Sequence, residues 1–234
     1  MVESEKIEQL ERPGIDGGAL KKIAQTGSLQ SNPVHRTQNH VTPVKTDFGV
    51  PMVLSTKRLT LRAPHRRDLD DLVALANDVA VSNNLGTMPY PYRREDGLHF
   101  IDHLSVPGPQ RRMFAITDRY SDRFMGGCGY RPIEEHPDRL GIGYWLGKAY
   151  WGQGLAAEAA QALIDHAFTS EDIGEIWATV RIANHQSKRV IEKCGFQFVH
   201  NGMSRSLALG GMVPIDYYCM SRKTWESLHA WGER

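Results

Sequence analysis

Gly143-Tyr144-Trp145-Leu146-Gly147-Lys148-Ala149-Tyr150-Trp151-Gly152-Gln153-Gly154-Leu155-Ala156-Ala157-Glu158-Ala159 reads as a strand, a glycine-spaced turn and the first turns of a helix. Glycines at 152 and 154 let the backbone approach a ligand without side-chain obstruction. The first N–H groups of the helix have no intrahelical partner and point outward, which suits the stretch to holding an anion such as a phosphate.

Outward from this stretch, hydrophobic periodicity predicts the neighbouring elements. Upstream, 112–117, 124–132 and 140–146 read as consecutive strands joined by polar turns, an antiparallel meander. Downstream comes a helix over 154–168, apolar at Leu155, Ala159, Ala162, Leu163 and Ala167. A strand over 175–180 follows, then a helix over 185–194 that ends at Gly195 as its C-cap. Further strands are expected over 196–201 and 215–220. Before the meander, 56–63 alternates Leu59 and Leu61 with polar residues as a half-buried strand does. The stretch 68–77 places Leu69, Leu72, Val73 and Ala76 on one helical face, and a second helix over 95–104 stops at Pro107-Gly108-Pro109. The expected fold is α/β, with a mixed, mostly antiparallel central sheet flanked by helices.

Three segments are expected: an extension over 1–53, largely irregular because of its Gly, Ser, Asn, Thr and Pro content, a compact domain over 54–222, and a short polar tail over 223–234. The 234 residues suffice for one full-sized core. Twenty-eight basic against 27 acidic residues leave a net charge of +1, so no broad positive field exists for gripping nucleic acid. Cys128, Cys194 and Cys219 lack the short spacings of a zinc site, and their odd number argues against a disulfide scaffold. His99 and His103 have helical spacing but no third ligand, so no metal is expected. No apolar run approaches the length of a membrane span. The expectation is a cytoplasmic protein without membrane association, and self-association into a homodimer stays open.

Together, Lys57-Arg58-Leu59-Thr60-Leu61-Arg62, Gly127-Cys128-Gly129-Tyr130, Gly143-Tyr144-Trp145-Leu146, Tyr150-Trp151-Gly152-Gln153-Gly154-Leu155-Ala156, Asn184-His185-Gln186-Ser187 and Glu192-Lys193-Cys194-Gly195-Phe196 resemble the GCN5-related N-acetyltransferases (GNAT superfamily), in particular the branch similar to ribosomal-protein alanine acetyltransferases. The resemblance implies transfer of an acetyl group from acetyl-coenzyme A to a primary amine, either a protein N-terminal amine or an amine-bearing small molecule. It also implies a strand pair that splays at the coenzyme site. By resemblance, the cofactor-binding residues are Trp145 and Leu146 through backbone groups, Trp151, Gly152, Gln153, Gly154, Leu155 and Ala156 at the phosphates, and Asn184, Ser187 and Arg189 on the following helix. Ser187 resembles the position near the coenzyme sulfur.

Ser187 and Tyr144 are the candidate catalytic residues, Ser187 as a donor to the leaving thiolate and Tyr144 as one of several bases that could face the acceptor. Asp216, Tyr217, Glu134 and Glu135 are the others, beside deprotonation through water. Two positions depart from the family pattern. Ile191 stands where many members carry a tyrosine acid, and Gly141 stands where nearer relatives often carry a glutamate. An acyl-coenzyme A-binding module without turnover is therefore the alternative reading.

Overall fold

The computed structural model describes residues 52–134 and 136–232. The irregular extension expected over 1–53 lies outside the described residues except at its last two positions. The strands form one eight-stranded sheet in the order β1-β2-β3-β4-β5-β6-β8-β7. From β1 (Leu54–Ser55) through β2 (Leu59–Arg62), β3 (Arg112–Asp118), β4 (Phe124–Ile133) and β5 (His136–Leu146), every neighbour is antiparallel. β6 (Glu175–Arg181) joins β5 in parallel, and the hairpin of β7 (Gln197–Ser206) and β8 (Gly211–Ser221) completes the sheet through β8. The sheet is mixed and mostly antiparallel, as the sequence predicts. Its parallel step needs a crossover, which the helix α4 (Leu155–Ser170) provides.

Side chains alternate across the strands, so each face receives its own helices. One face of β5 carries Leu140, Ile142, Tyr144 and Leu146, which join Leu155, Ala159, Leu163 and Ala167 of α4 and Ile191 of α5 (His185–Lys193) in the main core. On the other face, α1 (Leu69–Ala76) and α3 (Arg94–His99) cover Ala115, Phe124 and Trp145. A buried ion pair ties β2 to the start of α1: Arg62 donates two parallel hydrogen bonds to the Asp68 carboxylate, at 2.7 and 2.8 Å.

Several elements differ from expectation. The helix expected over 95–104 is α3 followed by a wider π-type turn over Phe100–Leu104, in which the Ser105 N–H donates to the Phe100 carbonyl at 2.9 Å. The four-residue helix α2 (Val79–Ser82) is too short to show a period. β7 and β8 extend beyond the expected 196–201 and 215–220, because β7 is an edge strand, mostly exposed, with no buried face to write an alternation into its sequence.

The expected polar tail is a helix, α6 (Arg222–Gly232). Trp225 stacks on Phe168 with ring centroids 5.2 Å apart. The Arg222 guanidinium donates to the Phe168, Glu171 and Ile173 carbonyls at 2.8–2.9 Å, a cation closing the C-terminus of α4. Among the described residues no helix is long and apolar enough to cross a membrane.

Candidate active site

β5 and β6 pair from Arg139↔Glu175 to Ile142↔Ala178 and no farther. β5 nevertheless stays on β4 to Leu146↔Gly126, and β6 stays on β8 to Arg181↔Ile215. The two strands therefore part after Ile142 and leave an opening in the sheet. The Gly147 N–H donates to the Met125 carbonyl at 2.9 Å. In an antiparallel ladder alternate residues turn their backbone groups to the same neighbour. Gly143 and Trp145 thus face β4, whereas Tyr144 and Leu146 turn their N–H groups to the opening. Trp145, expected to offer backbone groups to a ligand, spends them on the sheet, and its ring packs with Phe124 on the α1 face, centroids 6.0 Å apart.

The glycine turn lies at the end of β5. Gly152 and Gly154 have φ of 75° and 76°, a left-handed conformation that other residues adopt only at a cost. No neighbour stands within 4 Å of a Cβ placed on Gly152, so conformation rather than space requires glycine there. Gly154 is the N-cap of α4 and brings no side chain to cap it. The first intrahelical bond runs from the Glu158 N–H to the Gly154 carbonyl, 3.2 Å. The N–H groups of Leu155, Ala156 and Ala157 precede it and are free of the helix ladder. This donor set fits the pyrophosphate of coenzyme A.

Leu155 fills the core with its side chain, as Ala156 partly does, so their link to a ligand runs through backbone N–H. Gln153 turns its side-chain amide back to the Ala149 carbonyl at 3.1 Å. Trp151 is also committed inward: its indole N–H donates to the Leu146 carbonyl at 2.7 Å, which pins the turn to β5 and leaves the ring no polar group for a phosphate.

The two candidate catalytic side chains meet. The Tyr144 hydroxyl lies 2.9 Å from Ser187 Oγ and donates to the Ser187 carbonyl at 3.3 Å. Asn184 caps α5, its Oδ1 accepting the Ser187 N–H at 3.1 Å. Burial pushes the Tyr144 phenol well above its ordinary range, outweighing the hydrogen bond with Ser187 that acts the other way. Burial and the bond to the Ser187 carbonyl favour Tyr144 as a hydrogen-bond donor over the base expected from the sequence. Arg189 is exposed and forms no ion pair among the described residues. Ile191 is buried in the main core.

The remaining base candidates scatter. Glu134 is exposed at the turn into β5, the far end of that strand from the opening, and Glu135 lies outside the described residues. Asp216 is buried and accepts from Asn201 Nδ2 at 2.6 Å. Tyr217 pairs with Thr179 across the ladder, beyond the point where β5 and β6 part, and stacks on His200 at 4.4 Å. Burial raises the Cys128 and Cys194 thiols, the latter to about 11, so neither is a nucleophile at neutral pH. Among the described residues no three His, Cys, Asp or Glu side chains are grouped to hold a metal ion.

A trio outside the expected set reaches the turn. Thr56 Oγ1, the Arg58 N–H and Arg58 Nε all donate to the Glu158 carboxylate at 2.6–2.8 Å, and Arg58 Nη1 donates to the Gln153 carbonyl at 2.9 Å. These contacts join residues about 100 positions apart, and nothing local in the sequence signals them.

Residues 58–197 match the family model described as an acetyltransferase (GNAT) domain. Over 170 residues the chain is 34% identical to an uncharacterized N-acetyltransferase, p20, of Bacillus licheniformis, covering 72% of this chain and 94% of that protein. Its fold is similar to that of a ribosomal L7/L12 α-N-protein acetyltransferase in complex with coenzyme A, with a TM-score of 0.63 at 22% identity over 73% of this chain and 98% of that one. A spermidine N-acetyltransferase from Vibrio cholerae, in complex with coenzyme A and spermine, superimposes with a TM-score of 0.59 at 19% identity over 73% and 99% of the chains. The opening between β5 and β6, the glycine turn and the family match converge on one conclusion: the chain belongs to the GNAT acetyltransferases, which move an acetyl group from coenzyme A to an amine.

Proposed function

We propose that the protein acetylates a primary amine, either the α-amine of a protein N-terminus or an amine-bearing small molecule, with acetyl-coenzyme A held along the opening between β5 and β6 and its pyrophosphate at the start of α4. The observation that carries the reading is that the parallel ladder stops at Ile142↔Ala178, beside a glycine turn with free helix N–H groups and within reach of the Tyr144–Ser187 pair. Acetyl-coenzyme A supplies an activated acetyl carbonyl and a thiolate leaving group. The N–H groups of Tyr144 and Leu146 that line the opening are the donors available to a carbonyl oxygen gaining charge. Gly152, Gln153, Gly154, Leu155 and Ala156 present backbone donors to the phosphates, and Asn184 caps α5 beside Ser187.

Ser187 donates its hydroxyl hydrogen to the departing sulfur, and the Tyr144 phenol, kept protonated by burial, then turns its single hydrogen from the Ser187 carbonyl to Ser187 Oγ, 2.9 Å away. The phenol that α5 lacks at Ile191 is thus supplied from β5. This supports turnover over a module that only binds acyl-coenzyme A. No carboxylate stands at Gly141, and the proton of the amine leaves through water. The open glycine 143, with Thr179 and Tyr217 across the gap, leaves the acceptor its approach on the face opposite α4. Both acceptor classes accord with the names of fold relatives, one acting on a protein α-amine and one on spermidine.

The test is a thiol-release assay with acetyl-coenzyme A across peptide α-amines, lysine peptides, polyamines and amino sugars, with products confirmed by mass. Acceptor-dependent acetylation is expected. Tight coenzyme binding without product from any acceptor favours the binding-module reading.

A further inference from the structure

We propose that Arg58 is the positioning residue of the coenzyme-phosphate turn, a role that rests on the coenzyme reading above. The turn has two features that work against an anion. Glu158 sits in the first turn of α4 with a carboxylate beside the helix N-terminus, where its charge opposes a phosphate. The Gln153 carbonyl, between two left-handed glycines, has the conformational freedom to swing its oxygen toward the ligand. Arg58 answers both. Nε and Nη2 grip Glu158 at 2.7 Å, and Nη1 holds the Gln153 carbonyl at 2.9 Å, turned back toward β2. With that carbonyl held by Arg58, its oxygen is committed to a donor and kept from the ligand.

The carboxylate is held by more than Arg58. Burial opposes its ionisation, but hydrogen bonds from Thr56, the Arg58 N–H and the Arg58 guanidinium outweigh it and hold Glu158 below its ordinary value. The guanidinium of Arg58, whose side chain is 44% exposed, stands 3.7 Å from where a Cβ on Gly154 would be. Its positive charge therefore faces the turn while its fork is spent on Glu158 and Gln153. Lysine could match the charge but not the three-point geometry. Thr56, by contrast, braces Glu158 without touching the turn.

The experiment is calorimetric titration of the full chain with coenzyme A for Arg58→Ala, Arg58→Lys and Thr56→Val, each alongside its thermal melt. Thr56→Val measures what loosening the brace alone does. Arg58→Ala is expected to weaken coenzyme A binding by roughly tenfold, the scale of one lost charge-assisted contact. Arg58→Lys falls in between, and Thr56→Val stays within about twofold at a comparable drop in melting temperature. Equal loss of affinity in Arg58→Ala and Thr56→Val at equal loss of stability reduces Arg58 to a structural brace and overturns the proposal. Wild-type protein that does not bind coenzyme A overturns the coenzyme reading itself.

Discussion

The two faces of β5 are built from the same eleven residues and serve opposite ends. On one face Leu140 and Leu146 are buried and Ile142 and Tyr144 partly so, packed by α4 and α5. On the other, between the side chains of Arg139 and Trp145, Gly141 and Gly143 carry none, and a Cβ on Gly143 would meet nothing within 4 Å, whereas one on Gly141 would touch Ile133. The filled face stores stability and fixes the glycine turn relative to the opening. The bare stretch at Gly143 leaves open space where β6 has moved away, the place proposed above for the acceptor. A strand that splays from its neighbour loses ladder bonds on one side, so the packed face must hold it in place.

The largest expected effect tests the filled face. Leu140 is fully buried, and Leu140→Ala should cost about 2–5 kcal/mol of stability in denaturant unfolding. A loss under about 1 kcal/mol would break the contrast between the faces. Gly154→Val comes next. Its left-handed backbone makes a β-branched residue cost about 1–2 kcal/mol, and the added side chain stands at the phosphate approach. Coenzyme affinity should fall by at least about tenfold in a variant that still melts cooperatively, and unchanged affinity would remove the pyrophosphate from this turn.

Which parts were legible follows from where the forces are local. The meander, α4 and α5 could be read because one buried face writes a period into each of them. The glycine turn could be read because a left-handed backbone demands glycine at 152 and 154. Element α6 escaped because its hold on the core comes from two residues, Arg222 and Trp225, whose partners Phe168 and Asp165 lie more than fifty positions away. The meeting of Tyr144 and Ser187 joined two residues that the family resemblance had named separately, and only the fold shows that the phenol is a donor. Trp145 differs from expectation because sequence shows the strand but not the parity of its ladder. The bond from Gly147 to Met125 sets that parity.

The Tyr144–Ser187 pair sharpens the comparison from the filled side. If Ser187 donates to a developing thiolate as proposed, Ser187→Ala should drop kcat about tenfold with coenzyme affinity held. Tyr144→Phe removes the outer donor and should cost roughly fivefold. Because burial raises this phenol, it does not ionise in the assay range, and the pH–rate profiles of wild type and Tyr144→Phe should share one shape. A limb near neutral pH that vanishes in the variant would restore Tyr144 as a base. The stability sign is fixed as well. The folded-state value lies above the unfolded one, so this contribution is intact below about pH 10 and is lost as pH rises beyond it.

The smallest effect falls on the bare face and tests it most directly. Gly143 lies in β5 where β6 has already separated, its φ is not in the left-handed region, and space stands open over it. Alanine restricts the unfolded chain more than glycine does, so Gly143→Ala should leave stability unchanged or raise it by up to about 1 kcal/mol. If the bare face receives the acceptor, the added methyl narrows that approach. The KM for a bulky amine should then rise more than that for a slim one, while coenzyme affinity stays put. A variant that loses stability would show the face to be filled, whereas unchanged selectivity at unchanged stability would move the acceptor elsewhere. Only a bare face predicts that one methyl group makes the protein no less stable and more selective.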